Sequence, residues 1–107
     1  MIYLKGIIGN DKENKQIGLS DVIALVKSEA SPIVEITINS PGGSAKEGFA
    51  IYNFLKNYKE KPIYTYSQGQ CNSIASTIFC AGLKRFAGCD MVIHNPSIDN
   101  PTGRFEA

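Results

Sequence analysis

Apolar and polar positions divide the chain into short segments of two different periods. Residues 2–8, Ile-Tyr-Leu-Lys-Gly-Ile-Ile, are rich in β-branched side chains and are closed by Gly9-Asn10, which predicts a strand. Residues 11–18 are polar and predict a loop. Over residues 21–30 the apolar positions Val22, Ile23, Leu25 and Val26 form a helical stripe, with Ser20 placed to cap it and Ser31-Pro32 to stop it. Residues 33–38 are apolar at odd and even positions except at Glu35 and Thr37, as expected of a strand buried on both faces. After Asn39-Ser40-Pro41-Gly42-Gly43 comes Ser44-Ala45-Lys46-Glu47, a capping box that opens a helix to about residue 58.

Residues 62–66 predict a third strand, starting at a proline where a strand tolerates one. Gly69-Gln70 then turns into a helical stretch over residues 72–81, ended by Gly82. Two short strands, 85–87 and 91–93, flank the Gly88-Cys89-Asp90 turn. Strands alternating with helices in the order β-α-β-α-β-α-β-β predict parallel pairing through right-handed crossovers, an α/β layer fold in one domain.

Composition narrows the function classes. The chain has 107 residues, 43% hydrophobic and 20% charged, with a formal net charge of +1, so nothing suggests a clustered basic footprint for nucleic acid. The densest charged run, Asp11-Lys12-Glu13-Asn14-Lys15, mixes signs and reads as a solvated loop. Three cysteines, Cys71, Cys80 and Cys89, with no C-x-x-C pair argue against a disulfide framework and a structural zinc site. With no signal-like N-terminus and no apolar run of about 20 residues, the expectation is a cytoplasmic chain away from the membrane, using no metal or cofactor.

Three features sit where strands end, the place where α/β folds build ligand sites. In Ser40-Pro41-Gly42-Gly43-Ser44, two glycines permit close backbone approach, and free N–H groups near a helix start suit a developing negative charge; an ordinary βα turn has the same look. In Gly69-Gln70-Cys71-Asn72-Ser73-Ile74-Ala75-Ser76, Ser73 lies at a helix start with its Oγ exposed, and the Ile74 N–H can donate to an oxyanion, although the stretch is not a G-x-S-x-G elbow. His94, the one histidine, ends an apolar strand beside a loop, where a general base can reach a serine on a neighbouring element.

Taken jointly, Asn39-Ser40-Pro41-Gly42-Gly43, Glu47-Gly48, Ala50-Ile51-Tyr52, Gly69-Gln70 with Ser73, Ala81-Gly82, Lys84-Arg85-Phe86 and Ile93-His94-Asn95-Pro96 resemble the proteolytic subunit of Clp protease, the ClpP family. The Ile-His-Asn-Pro ending and the Gly-Gly-Ser…Glu-Gly-Phe-Ala-Ile-Tyr-Asn block resemble most closely its phage branch, the head maturation proteases. The resemblance implies the ClpP/crotonase-like spiral of β-β-α units. It implies peptide hydrolysis through an acyl-enzyme, with Ser73 as nucleophile, His94 as general base, and the Gly43 and Ile74 amides as oxyanion donors. It also implies a polypeptide substrate, a ring homo-oligomer, and an unfoldase ATPase or phage capsid proteins as partners.

Two departures stand out. Cys71-Asn72 occupies positions where the family usually has small residues. The chain ends at Ala107, before the family's triad aspartate and handle helix, which predicts a truncated, N-terminal part of the fold; Asp90 and Asp99 are the only nearby acids. Loss of the orienting acid can cost about 10⁴ in turnover. The rival readings are a catalytically degenerate structural or assembly subunit, a crotonase-like acyl-CoA enzyme and a Ser–Lys peptidase.

Overall fold

The computed structural model describes residues 1–91. In chain order they form β1 (Ile2–Lys5), α1 (Leu19–Ser28), β2 (Val34–Ser40), α2 (Ala45–Asn57), β3 (Ile63–Cys71), α3 (Ile74–Phe79) and β4 (Lys84–Ala87). These are the first seven elements expected from the sequence. The anticipated strand over 91–93, and His94 after it, fall outside the described residues except for Met91, which is in no strand.

The strands form one sheet in the order β1-β2-β3-β4, every pair parallel. Sequential order with right-handed crossovers returns every helix to the same face. On that face Ile2 and Leu4 of β1, Val34, Ile36 and Ile38 of β2, and Ile63 and Thr65 of β3 meet Val22 and Val26 of α1, Ile51 and Leu55 of α2, and Ala75 and Ile78 of α3, all buried. Each such large apolar side chain contributes roughly 1.5–3 kcal/mol by leaving water.

The expectation that β2 is covered on both faces does not hold among the described residues. Glu35, Thr37 and Asn39 alternate onto a face that carries no helix, in register with Tyr3 and Lys5 of β1 and Tyr64 and Tyr66 of β3. There Phe86 of β4 stacks on Tyr66 with ring centroids 4.9 Å apart, and the Tyr66 hydroxyl donates to Glu35 Oε2 at 2.7 Å. An apolar run alone does not distinguish two covered faces from one covered face opposite an aromatic and polar one.

Among the boundaries that differ from the sequence expectation, those of β1, α1, β3 and α3 each have a local reason. β1 stops at Lys5 because the chain turns at Gly6, whose φ is +122°. Ile8 then bridges to Gly43 and Ile17 outside the sheet. α1 starts at Leu19 with Gly18 as N-cap rather than Ser20, because other side chains supply the acceptors: Asp21 Oδ2, in the helix's own first turn, takes the Gly18 N–H at 2.9 Å, and Glu47 Oε2 of α2 takes the Leu19 N–H at 2.8 Å. The capping box at α2 is therefore half made. Ser44 Oγ accepts from the Glu47 N–H at 3.1 Å, while the Glu47 carboxylate reaches across to the positive end of α1.

β3 runs on to Cys71, past the expected end at 66. α3 is only six residues, preceded by a tight turn at Asn72-Ser73 and followed by i→i−3 bonds from Ala81 and Gly82 to Ile78 and Phe79. Gly82 does close the stretch, packed so near Thr65 that a Cβ would sit 2.3 Å from its Oγ1.

α2 and α3 meet at Gly48. A Cβ there would lie 2.2 Å from Ile74 Cγ1 and 3.1 Å from its Cγ2. Gly48→Ala in an open helix would gain about 1 kcal/mol of helix propensity. Here the overlap with buried Ile74 outweighs that gain, and the variant loses about 1–3 kcal/mol of stability in denaturant titration. A stability equal to or above wild type would show that the two helices are not in this contact.

Candidate functional site

Parallel strands release their following loops at the same edge of a sheet. The loop after β2 (Pro41–Ser44) and the turn after β3 (Asn72–Ser73) emerge side by side. They are drawn closer by a register shift: Ile38 pairs with Ser67, yet Ser40 pairs with Cys71, so Asn39 alone faces Gln68, Gly69 and Gln70. Asn39 Oδ1 accepts the Gln70 N–H at 3.3 Å. Gly69, at φ +75°, lies so close to that amide that a Cβ would approach within 2.8 Å. The bulge lengthens β3 and delivers the turn beyond it next to the glycine pair.

Ser73 occupies that turn with φ +56° and ψ −128°. A non-glycine residue held there costs about 1–3 kcal/mol, and such strain persists only where surrounding structure fixes it. The fixing contacts are visible. The Asn72 N–H donates to Ser40 O at 3.1 Å, Asn72 O accepts from the Ala75 N–H at 3.0 Å, and Ser73 O accepts from the Ser76 N–H at 3.0 Å and from Ser76 Oγ at 2.6 Å. Ser76 is itself buried. Ser73 is half-buried, and among the described residues its Oγ has no hydrogen-bond partner. The backbone makes the sharp strand–turn–helix of a nucleophile elbow although the residues around it are not G-x-S-x-G.

Gly42 presses against this turn. At φ +110° it leaves room where a Cβ would meet Ser73 Cβ and Asn72 O, each at 3.0 Å. Gly43 follows at φ +146°, where a Cβ would fall 2.2 Å from Ile8 O. Contact with Ile8 excludes a side chain at Gly43, and at Gly42 a tight fit against Ser73 adds to a φ that favours glycine.

The loop is held through its peptide groups. Gly42 O accepts the Ile8 N–H at 2.9 Å, and Ile8 O accepts the Ser44 N–H at 2.8 Å. Among the described residues no peptide bond is cis, so the Gly43 N–H points opposite to the Gly42 carbonyl, away from Ile8. The Gly42 N–H is taken by Ser40 Oγ at 3.0 Å. Among the described residues neither the Gly43 N–H nor the Ile74 N–H donates a hydrogen bond. Of the four site residues expected from the sequence, the structure thus brings Gly43, Ser73 and Ile74 to one edge of the sheet; His94 lies outside the described residues, as does Asp99. Asp90 is exposed in the segment after β4.

Sequence reasoning missed the parts played by Ser40 and Ser76. Each is a small buried polar residue next to a glycine loop or a turn, and burial is the signal a sequence alone does not show.

Cys71, two residues before Ser73, does not compete as a nucleophile. It is fully buried, its thiol points at Ala75 O at 3.4 Å, and burial, with lesser contributions from Cys89 and Cys80, pushes it up to about 12. The reactive form of cysteine is the thiolate, which is scarce at neutral pH for such a group. Asn72, the other departure from small residues, directs its Nδ2 towards Gln70 Oε1 at 3.4 Å. Among the described residues no three His, Cys, Asp or Glu side chains group as metal ligands, and no helix is long and apolar enough to cross a membrane.

The comparisons with known proteins agree with one another. The Clp protease family model matches residues 1–103. The ATP-dependent Clp protease proteolytic subunit 3 of Streptomyces avermitilis is 32% identical over 101 residues, covering 91% of this chain and 44% of that protein. The corresponding subunit of Ligilactobacillus salivarius is 32% identical over 100 residues, covering 90% of this chain and 49% of that protein. The chain therefore spans about half the length of the curated relatives it matches. Among solved structures, the ClpP protease catalytic domain from Plasmodium falciparum superposes with a TM-score of 0.69 at 35% identity, covering 90% of this chain and 54% of that one. A ClpP1 variant from Listeria monocytogenes shares the fold, with a TM-score of 0.69 at 23% identity over 89% of this chain and 56% of that one. A family match running from residue 1 to residue 103 takes in both strand-end loops and all four strands, and the chain belongs to the Clp protease family.

Proposed function

We propose that the chain carries the nucleophile and oxyanion loop of a serine endopeptidase. The observation that carries this reading is the left-handed φ of Ser73 on a strand-to-helix turn packed against Gly42. Strain of this kind gathers at reacting groups, because it presents a side chain that relaxed backbone would turn away.

His94 takes the Ser73 hydroxyl proton as Oγ attacks the scissile carbonyl. The N–H groups of Gly43 and Ile74 receive the resulting oxyanion, and the imidazolium returns the proton to the leaving amine. Water then attacks the acyl-enzyme by the same route, restoring Ser73. Oxyanion donors are typically worth about 10²–10³ in rate each.

The substrate is a polypeptide and the working form a ring of identical chains, with an unfoldase ATPase or phage capsid proteins as the partner. The finer placement in the phage head maturation branch is supported by the Gly42-Gly43-Ser44…Glu47-Gly48-Phe49-Ala50-Ile51-Tyr52-Asn53 and Ile93-His94-Asn95-Pro96 motifs.

A fluorophosphonate probe tests the nucleophile. It labels wild type at Ser73 and leaves Ser73→Ala unlabelled, and peptide cleavage falls by at least about 10⁴-fold in that variant. Labelling that survives the substitution places the nucleophile elsewhere. A wild-type protein that never labels favours the assembly-subunit reading.

The same position separates strain from chemistry. Ser73→Gly relieves the positive φ and is more stable than Ser73→Ala by about 1 kcal/mol, although both are inactive. Equal stabilities would mean that the turn is unstrained.

With a neutral imidazole as base, cleavage declines as the pH falls from 8 to 5 and the imidazole takes up a proton. A flat profile from pH 5 to pH 8 removes His94 from that role.

Iodoacetamide applied to the native protein at pH 8 modifies exposed Cys80 and spares Cys71, whose raised pKa keeps it a thiol throughout that range. Peptide mapping that finds Cys71 alkylated first would reopen it as a nucleophile.

A further inference from the structure

We propose that Ser40 is a positioning residue for the oxyanion loop, acting through its side-chain hydroxyl. The proposal rests on the reading of Ser73 as nucleophile and Gly43 as oxyanion donor.

Pro41-Gly42-Gly43 has little of its own to fix its peptide planes. Two successive glycines at φ +110° and +146° sample backbone space that other residues rarely enter. Rigidity there comes from outside the pair. On one side of Gly42 its carbonyl is held by the Ile8 N–H, a backbone bond that no side-chain change removes. On the other side its N–H is held by Ser40 Oγ at 3.0 Å, and Ser40 is 0% exposed. Gly42 is buried too, so water does not substitute for the lost acceptor. The remaining contact of the hydroxyl is Gly42 O at 3.5 Å, at the limit of hydrogen-bond range.

Ser40 also bonds the neighbouring turn, since its carbonyl accepts the Asn72 N–H at 3.1 Å. One residue therefore grips both halves of the site: its backbone holds the approach to Ser73, and its hydroxyl sets the peptide preceding the glycine pair. Removing the hydroxyl leaves the backbone grip intact and frees the Pro41–Gly42 peptide to rotate. The Gly43 N–H lies on the next peptide plane, which the Ile8 N–H still holds through the Gly42 carbonyl, so losing the Ser40 anchor tilts that N–H away from its working direction rather than releasing it.

The effect is confined to the step in which the carbonyl oxygen becomes charged. Misplacing a catalytic group by about 1 Å can cost 10²-fold. In Ser40→Ala, kcat on a short chromogenic peptide falls about 10–100-fold, while KM stays within about twofold. Affinity for a peptide boronate, whose tetrahedral adduct places an oxygen between the amides, falls by the same factor as kcat/KM. The midpoint of the pH–rate profile does not move, because the base is untouched.

The experiment measures kcat, KM, boronate affinity and pH profile for the full-length chain as wild type, Ser40→Ala and Ser40→Cys, each checked for a cooperative thermal transition. Ser40→Cys keeps the side-chain shape with a much weaker acceptor, and carries the test if the alanine variant does not fold. Parallel losses in kcat and boronate affinity, at constant KM and pH midpoint, support the proposal. Folded variants with wild-type kcat and boronate affinity overturn it, as does a loss that resides in KM or shifts the pH midpoint. Fluorophosphonate labelling distinguishes its failure from that of the parent reading. If wild type is not labelled at Ser73, the serine-peptidase reading falls and this one with it; if Ser73 is labelled and the Ser40 variants match wild type, only the role of Ser40 falls.

Discussion

Parallel pairing of β2 with β3, offset at its carboxyl end, is the constraint from which the rest of the site follows. Parallel direction sends the loop after Ser40 and the turn after Cys71 out of the same edge, and the offset at Asn39 brings them into contact. Once Gly42 touches Ser73, a side chain at position 42 meets a tight fit and a relaxed backbone at position 73 has no room. The buried apolar face of the sheet supplies the energy that holds this arrangement, since a strained turn of six-residue helix and glycines has little stability of its own.

Labour is divided between backbone and side chain. At the two strand-end loops, the Gly43 and Ile74 N–H groups and the Ser73 hydroxyl have no partner among the described residues, and they are the groups that a reacting carbonyl needs. Their supports are bonded: Ser40, Ser76 and Ile8 each place two donors or acceptors on the loop or the turn, and Asn39 places one on the bulge. A further link runs behind the site, where Glu47 leaves its own helix cap and bonds the start of α1. The two crossovers are tied by a single carboxylate that local sequence reads as belonging to one helix only.

Element order was legible in the sequence, as was the place of the glycine loop and of Ser73 at strand ends, because both depend on local signals. The stripe through Val22 and Val26, the Ser44 cap and the closing role of Gly82 survive in the structure largely as read. What was not legible depends on tertiary neighbours. Ser20 is a good capping residue, yet the helix starts earlier because Asp21 and Glu47 supply the acceptors. Residues 67–70 show no strand alternation, yet they extend β3 because Asn39 gives them a partner. The backbone of Ser73 is the extreme case: serine has no intrinsic preference for φ +56°, so only the surrounding contacts produce it. The apolar run in β2 suggests two covered faces, whereas its second face carries Glu35 and lies beside tyrosines, with no helix over it among the described residues.

The strain at Ser73 has a consequence for how the domain comes into its working form. A serine turned to positive φ relaxes once its turn leaves β2 and the loop after it, because the holds from outside α3 are the bond of the Asn72 N–H to Ser40 and the packing of Gly42, whereas the Ser76 bonds travel with the helix. Docking of this short helix and exposure of a poised hydroxyl are therefore one cooperative event. A nascent or partly opened chain carries an ordinary serine, and the geometry that distinguishes Ser73 exists only in molecules that have finished folding around it.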